Sequence, residues 1–399
     1  MTEQSILGRV ALGYSPIVDM KRNIHATRLG VFPVNAEAKL EVAGLLKAIG
    51  EVWPADGPQV FLNLASEALL ADLLVAKPAK NLLIEVPAFM AGEPAMAAAM
   101  RAAHENGNAL LLKGRPLQPL PREVLPYFKH VIVDLSDERR IDSAVPLGVT
   151  RTITVVQSGV NNVADMEKSF ARGSVAVLGW PIDDAVTQAA GKGIGKVPSN
   201  VQLIAQLMRQ VDAEDSTENL EATLKRDPAL AFQLLRLINS PALGLKVEVN
   251  SLRHAVMLLG HKRLKRWLAL LLPTATREPN LRPILFASVR RGFLMEELGR
   301  AGGDLEMRSE MFICGVFSLL DRLFQRPIAD LLASIQVPER VQQALVDGGG
   351  PFAPYMELVN ALETGSPFDL RAASDSLMMG LAEVNRALLT ALTAAAQLD

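Results

Sequence analysis

The 399-residue sequence contains a single cysteine, Cys314, and few aromatic residues, which make up 5% of the chain. One thiol cannot form an intrachain disulfide, and it cannot supply the set of cysteines that a structural zinc site uses. Chains without disulfides are typical of a reducing compartment, so we expect a cytoplasmic protein. With few aromatic rings available, the core must consist mainly of Leu, Ala, Val and Ile.

Strong net charge and long apolar runs are also missing. The formal charge is −2 at pH 7, which gives no general attraction to nucleic acid or to an anionic membrane. The apolar run from Trp267 to Pro273 is far shorter than the ~20 residues of a membrane-spanning helix. The first residues also lack the pattern of a signal peptide. We therefore predict a globular protein that does not insert into a membrane.

The first half of the chain alternates short β-rich segments with helical ones. Near-continuous apolar strands separated by helices indicate parallel strands that are buried on both faces. Eight such strands predict an α/β fold, a (β/α)8-type barrel, in which the first two strands form an antiparallel pair. The predicted strands are Val10–Tyr14, Ile24–Phe32, Val60–Leu64, Leu82–Val86, Ala109–Leu112, Val131–Leu135, Thr152–Val156 and Val175–Leu178. The helices between them are Glu37–Ile49, Ser66–Val75, Pro94–Asn106, Asp137–Ala144 and Val163–Arg172.

Glycine occupies every second position from Gly191 to Gly195. This pattern resists both helix and strand packing, so it predicts a linker over residues 186–196. A phosphate-binding loop is the alternative. It is disfavoured because no apolar strand leads into the glycines, and Pro198 stands where the helix of such a loop would begin.

The second half of the chain has the apolar spacing of helices throughout, which predicts an all-α region. Asp227 before Pro228 predicts a helix N-cap, and Ser216 predicts a second one. The predicted helices are 200–211, 217–226, 229–239, 252–259, 263–272, 284–300, 310–324, 327–332, 339–347, 355–364 and 383–397. We place the barrel at residues 1–185 and the helical domain at residues 197–399.

The start of the helical half resembles the HDOD domain, a relative of the HD phosphohydrolases. The resemblance rests on Val197-Pro198-Ser199, on the segment from Leu224 to Leu230, on the run from Leu234 to Pro241 that contains Asn239, and on the segment from Ala255 to Gly260. It implies a compact helical domain, in which Asn239 caps or buttresses the fold. HD enzymes use metal-bound His and Asp, and these residues are missing from the matching positions.

The first half resembles the EAL domain, a barrel phosphodiesterase that cleaves cyclic di-GMP. The resemblance rests on five segments in the family's order: 15–19, 60–64, 83–86, 131–135 and 178–181, the last reading Leu-Gly-Trp-Pro. Together with the HDOD resemblance, it implies a bacterial signalling protein of the EAL–HDOD type and covers almost the whole chain.

The departures from the EAL pattern concern the residues that would hold metal. An active EAL enzyme needs several carboxylates for two divalent cations. Arg28 stands where the resemblance places the family's namesake Glu, and the segment from Lys113 to Arg115 replaces a pair of aspartates. Asn63, Glu85 and Asp134 remain in register. Too few ligands are left, so we predict no metal site, no cofactor and no catalytic residue.

More than one role is open for the six residues that we expect at the mouth of the barrel: Arg28, Asn63, Glu85, Lys113, Arg115 and Asp134. Arg28, Lys113 and Arg115 could bind an anionic ligand such as cyclic di-GMP, because cations clustered at one barrel mouth suit phosphate. They could equally pair with acidic residues of the protein itself. The retained residues could form a residual metal site, but we favour a structural role in which Asn63 and Asp134 satisfy backbone groups at the ends of strands.

The helical half also lacks the ligands of an HD enzyme. None of the five histidines precedes an Asp, and only His254 and His261 lie in this half. Ser318 and Leu319 stand where the resemblance places the His-Asp pair, and Asp321 comes too late in the chain. Cys314 lies among apolar residues, which predicts a buried structural thiol and not a nucleophile.

A basic run at residues 261–267 is the one feature typical of nucleic-acid binding. Four cations beside Trp267 could contact phosphates and stack a base. We favour a solvated helix face and a surface for protein contacts, because the chain is slightly acidic overall. The four cations are Lys262, Arg263, Lys265 and Arg266.

We therefore predict a non-catalytic bacterial signal-transduction protein that acts as a protein-interaction or regulatory scaffold. Its partners would be other signalling proteins, and nucleic acid is not expected. The alternatives are a receptor that binds cyclic di-GMP without cleaving it, and a residual metal-dependent phosphodiesterase. The link to signalling follows from the resemblance alone.

Overall fold

The computed structural model describes residues 6–35, 40–137, 153–183, 199–239, 249, 251–274, 279–300, 302, 304–324, 326–334 and 337–396. Contacts divide the chain into two compact units. The first comprises Met1–Asp184 and Glu357–Thr393, and the second comprises Ala185–Met356 and Ala394–Asp399. The predicted linker at 186–196 and the residues Val197, Pro198, Ser240 and Pro241 lie outside the described residues.

The first unit contains a closed barrel of eight strands in chain order, which confirms the predicted fold class. The first strand pairs antiparallel with the second and with the eighth, and the remaining neighbours are parallel. The strands are β1 (Val10–Asp19), β2 (Ile24–Pro33), β3 (Gln59–Leu64), β4 (Leu82–Pro87), β5 (Leu110–Lys113), β6 (Phe128–Asp134), β7 (Thr154–Ser158) and β8 (Ala176–Leu178).

The interior of the barrel is an apolar core built from alternate residues of the strands. Phe61, Leu83, Leu111 and Ile132 are each at most 2% exposed and belong to one cluster. Because strand side chains alternate between faces, the residue two positions later on each strand also points into the barrel. This alternation places polar side chains in the next layer, towards the carboxyl ends of the parallel strands.

Helices connect the strands at most of the predicted places. Ser66 and Asn162 cap two of them, since their side-chain oxygens accept hydrogen bonds from Leu69 N and Asp165 N. The predicted helix Asp137–Ala144 lies outside the described residues after Asp137. The helices are α1 (Val42–Val52), α2 (Glu67–Val75), α3 (Ala88–Ala91), α4 (Pro94–Glu105) and α5 (Val163–Ala171).

The second unit is helical, as predicted. Asp227 caps its helix through a 3.1 Å hydrogen bond from Leu230 N, and Ser216 accepts one of 3.2 Å from Asn219 N. The helices are α6 (Ser199–Asp212), α7 (Thr217–Leu224), α8 (Pro228–Ile238), α9 (Leu252–Thr274), α10 (Arg282–Leu298), α11 (Leu305–Phe317), α12 (Leu320–Phe324), α13 (Ile328–Ser334) and α14 (Glu339–Leu345).

The two helices predicted at 252–259 and 263–272 follow each other directly in α9, with a kink between them. Gly260 has φ 68° and ψ 166°, outside the helical region, so the helical direction changes at this residue. Glycine adopts this positive φ without the steric cost that a Cβ would impose.

Three further helices end the chain: α15 (Ala353–Thr364), α16 (Pro367–Ser376) and α17 (Leu381–Ala396). Residues 357–393 belong to the barrel unit, whereas the sequence analysis placed them in the helical domain 197–399. The approach to β1 is close: a Cβ on Gly13 would lie 2.7 Å from Gly365 Cα. None of the described helices is both long and apolar enough to cross a membrane.

Candidate functional site

Five of the six predicted mouth residues lie in one layer at the carboxyl ends of the barrel strands. Each stands two positions after a residue of the apolar core on its strand, and so points to the same side. In (β/α)8 barrels this end carries the functional sites. The five residues are Arg28 on β2, Asn63 on β3, Glu85 on β4, Lys113 on β5 and Asp134 on β6.

Arg28 and Glu85 form a two-pronged ion pair inside this layer. Arg28 Nε donates to Glu85 Oε1 over 2.7 Å, and Arg28 Nη2 donates to Glu85 Oε2 over 2.6 Å. The Glu85 side chain is 0% exposed. Burial alone would lower the pKa of Arg28, but the carboxylate of Glu85 outweighs burial and raises it. Both oxygens of the buried carboxylate are therefore engaged by one guanidinium.

Lys113 and Asn63 form the second pair of the layer. Lys113 Nζ donates to Asn63 Oδ1 over 2.8 Å, and Asn63 is 3% exposed. Burial lowers the pKa of Lys113, and the charge of Arg28 lowers it further against the opposing effect of Glu85. The side-chain oxygen of Asn63, which we predicted to satisfy a backbone group, accepts from this ammonium.

Asp134 is held by its own loop and by β7. Its carboxylate accepts from Ser136 N at 3.0 Å, Ser136 Oγ at 2.6 Å and Ser158 Oγ at 3.1 Å. Burial would raise the pKa of Asp134, but these hydrogen bonds lower it overall. The backbone bond from Ser136 agrees with the predicted structural role. Sequence reasoning did not single out Ser158, although it stands two positions after the core residue Val156.

Arg115 lies beside this layer and not within it. Its Nε is 3.9 Å from Asp137 Oδ2. Arg115 and Lys113 both line a groove of about 1070 Å³, which extends over the carboxyl ends of β3, β4 and β5. Apolar side chains from α2, α3 and the loop after β5 form much of its wall, together with the exposed acids Glu67 and Glu93.

These residues do not fit the metal centre that an EAL enzyme requires. The guanidinium of Arg28 occupies both oxygens of Glu85, and the ammonium of Lys113 is hydrogen-bonded to Asn63. Two cations in this position repel a divalent metal ion. Among the described residues, no group of three or more His, Cys, Asp and Glu side chains is arranged to hold a metal.

In the helical unit, Ser318 and Leu319, which stand where an HD enzyme has its metal-binding His-Asp pair, make contacts within the protein. Ser318 Oγ donates to Gly315 O over 2.8 Å and accepts from Arg291 Nη1 over 3.2 Å. Leu319 is 3% exposed. Cys314 is fully buried, and burial raises the pKa of its thiol to about 12, so the thiol stays protonated at neutral pH.

Asn239 holds a backbone segment in place. Its Nδ2 donates to Val249 O, and its Oδ1 accepts from Val249 N, each over 2.7 Å. This reciprocal pair supports the predicted buttressing role.

The basic run of α9 separates into two halves. Lys265 pairs with Asp212, and Arg266 Nη1 is 2.7 Å from Glu296 Oε1. The Arg266 guanidinium also lies 4.1 Å from the ring centroid of Phe312. Lys262 and Arg263 are exposed. The solvated face predicted for all four cations is therefore restricted to these two.

One domain family and two curated proteins are similar to parts of this chain. The HDOD domain model matches residues 196–331. The "Uncharacterized protein YuxH" of Bacillus subtilis is 28% identical over 165 residues, which cover 40% of each chain. The "Cyclic di-GMP phosphodiesterase CdgJ" of Vibrio cholerae is 25% identical over 159 residues, covering 40% of this chain and 37% of that protein. The chain thus spans about two fifths of the length of these curated relatives.

Two solved structures are similar at low scores. Klebsiella pneumoniae BlrP1, in a calcium and cyclic di-GMP complex, has a TM-score of 0.33 and 18% identity, covering 46% of this chain and 57% of that one. A standalone EAL protein from Vibrio cholerae O395, bound to cyclic di-GMP, has a TM-score of 0.31 and 15% identity, covering 43% and 90%. The HDOD match and the closed eight-stranded barrel support the predicted EAL–HDOD two-domain protein, with its HDOD domain at residues 196–331.

Proposed function

We propose that this chain is a non-catalytic signal-transduction protein that acts through contacts with other signalling proteins. The observation that carries the proposal is the ion pair of Arg28 and Glu85. Phosphodiester hydrolysis of the EAL type needs cations that activate water and neutralise phosphate charge. Here a guanidinium belonging to the protein occupies the carboxylate that would bind such a cation.

The signalling context rests on resemblance. One relative is named a cyclic di-GMP phosphodiesterase, and its match covers 37% of that protein. We extend the context to this chain, and not the activity. In our proposal the barrel keeps its packed interior and its loops as a scaffold, while the mouth layer is held closed by its own ion pair and hydrogen bond.

The test is a calorimetric titration of the protein with cyclic di-GMP, with and without magnesium, followed by product analysis of the same samples. We expect no cleavage under either condition. Cleavage that requires metal and is abolished by Glu85→Gln, but not by Arg101→Gln on the exposed face of α4, would overturn the proposal. The comparison of the two variants also detects a contaminating phosphodiesterase, because the cleavage rate of a contaminant would be the same in both variants.

A second candidate function is a receptor that binds cyclic di-GMP without cleaving it. The groove favours this candidate, because the cations Lys113 and Arg115 lie on its wall and could bind phosphate. Saturable binding that is unaffected by a chelator and weakened by Arg115→Gln would support the receptor. Arg101→Gln is again the matched control, since Arg101 does not line the groove.

The exposed cations Lys262 and Arg263 are the surface that we propose for protein contacts. Nucleic-acid binding through the same residues would show a steep dependence on salt and would be lost in Lys262→Glu with Arg263→Glu. We expect neither result with double-stranded DNA or single-stranded RNA probes, because half of the basic run is already paired within the protein.

A further inference from the structure

The two ends of the long segment that contains the HDOD match are joined within the barrel unit. Trp180, just after β8, donates from Nε1 to the backbone oxygen of Glu363 over 3.0 Å. Tyr14 on β1 donates from its hydroxyl to Glu363 Oε1 over 3.3 Å. The Tyr14 and Trp180 rings meet edge to face, with centroids 5.4 Å apart. We call these three residues the clasp.

A second anchor ties α17 to the same strand. Asn385, which is 0% exposed, donates to Leu7 O over 2.7 Å and to Val10 O over 2.8 Å, and it accepts from Leu12 N over 3.1 Å. A buried amide that satisfies three backbone groups is expensive to remove, because each group would be left without a partner. The C-terminal helices are therefore part of the folded barrel unit.

The clasp lies across the seam at which the barrel closes. β1 and β8 pair at three positions, the first being Ile17 with Leu178. Gly179 N then donates to Pro16 O over 3.3 Å. Tyr14 stands on one side of this seam and Trp180 on the other. Glu363 binds both, so a residue from the end of the chain holds together the first and last strands of the barrel.

We propose that the HDOD-containing segment is an insertion in the barrel domain, and that the clasp couples the state of this segment to closure of the barrel. The segment leaves the barrel after Trp180 and returns before Glu363. Because these two residues are hydrogen-bonded to each other, a disturbance of the inserted domain reaches the clasp through both of them. Domains whose ends lie close together are those that insert readily into another fold. The proposal is independent of whether the mouth binds a nucleotide.

The clasp is also close in register to the mouth layer. Tyr14 precedes Ser15, and Ser15 pairs with Arg28 across the antiparallel ladder of β1 and β2. Opening of the seam would therefore move the strand that carries the partner of Glu85. This adjacency gives the clasp a physical route to the proposed site.

The first experiment measures amide hydrogen exchange in the full chain. Tyr14→Phe removes one hydrogen bond and should accelerate exchange about fivefold in β1, β8 and residues 357–364 together. Asn385→Ala should accelerate it in the same segments by at least about tenfold. Asn81→Ala is the control, because Asn81 is a buried amide whose Nδ2 donates to Pro54 O and Pro58 O and to no atom of the clasp. Unchanged exchange at β1 and β8 in Tyr14→Phe would overturn the clasp.

The second experiment tests coupling to the inserted segment. Arg266→Met removes the ion pair with Glu296 and the contact of the guanidinium with the Phe312 ring, and so should weaken the second unit. Arg263→Met changes an exposed cation of the same helix. We expect Arg266→Met to accelerate exchange in residues 357–364 by about threefold or more, and Arg263→Met to leave it unchanged. Faster exchange confined to the second unit would overturn the coupling, while leaving the clasp itself to the first experiment.

Discussion

Arg28 reaches across the barrel mouth from β2 to Glu85 on β4, and its two nitrogens bind the two oxygens of a carboxylate that solvent does not reach. A guanidinium matches the planar carboxylate in this geometry, and a lysine could not replace both bonds. The two opposite charges neutralise each other within the protein, so neither needs an external ion. Removal of either residue would leave the other charge without its partner.

Removal of Arg28 alone should be strongly destabilising. Arg28→Met leaves a buried carboxylate without its partner, which typically costs roughly 3–5 kcal/mol in the free energy of unfolding. Replacing both residues, as in Arg28→Met with Glu85→Leu, should recover much of this loss. Urea unfolding measures both variants, and Arg101→Met is the exposed control. Equal losses in the single and the double variant would contradict this account of the pair.

Lys113 should make the stability of the barrel depend on alkaline pH. Burial, assisted by Arg28, lowers its pKa below the ordinary 10.5 in the folded protein. Between the lowered value and 10.5, the unfolded chain binds more protons, so the free energy of unfolding rises with pH in that window. Lys113→Met should remove this rise, whereas Lys47→Met on exposed α1 should retain it. Thermal unfolding across the alkaline range distinguishes the two variants.

His130 should contribute to loss of stability in acid. Burial, together with the charges of Lys129 and His25, lowers the pKa of His130 to about 4. From pH 6.5 down to about 4 the unfolded chain therefore takes up a proton that the folded chain does not, and stability falls through that window. We expect His130→Gln to flatten the fall and His104→Gln, exposed on α4, to leave it unchanged. NMR titration of the ring protons gives the pKa directly, and a value near 6.5 for His130 would refute the prediction.

The cations of the basic run should differ in their effect on folding. Arg266 pairs with Glu296 and lies 4.1 Å from the Phe312 ring centroid and 5.1 Å from that of Phe293. Arg266→Met should lower the free energy of unfolding by roughly 1–3 kcal/mol, whereas Arg263→Met should stay within about 0.5 kcal/mol. Chemical denaturation followed by tryptophan fluorescence measures both. Similar losses would mean that the aromatic contacts contribute little.

The barrel could be predicted because its buried strands are continuous apolar segments between helices. The structure confirms all eight strands, with shifts of a few residues at their ends. β1 extends five residues beyond its predicted end at Tyr14. The prediction stopped early because a proline, here Pro16, usually marks the end or the edge of a strand. Pro16 nevertheless pairs with Thr27, and its carbonyl accepts from Gly179 N.

α16 escaped prediction for a different reason. Its inward side consists mainly of Leu370 and Ala373, while Phe368 is 80% exposed, so the apolar spacing is too weak to indicate a helix. Its start does carry a signal, because Ser366 caps the helix by accepting from Asp369 N. A capping residue before Pro367 is typical of a helix start.

The composition of the mouth could be predicted from the sequence, but its pairing could not. Alternation along each strand places Arg28, Asn63, Glu85 and Lys113 at one end of the barrel. Which cation meets which acceptor depends on side-chain reach across the interior, and no spacing in the chain encodes it. The clasp is harder still, because Tyr14 and Glu363 are 349 positions apart.

The contact of Gly13 with Gly365 offers a way to recognise the same architecture in sequences without structures. Any side chain at position 13 would run into the turn between α15 and α16, where a Cβ would lie 2.7 Å from Gly365 Cα. Gly365 itself has φ 65°, a conformation that other residues adopt at a cost. Homologues whose final helices return to the barrel should therefore have glycine at both positions. Homologues whose final helices do not return should have other residues at one or both positions.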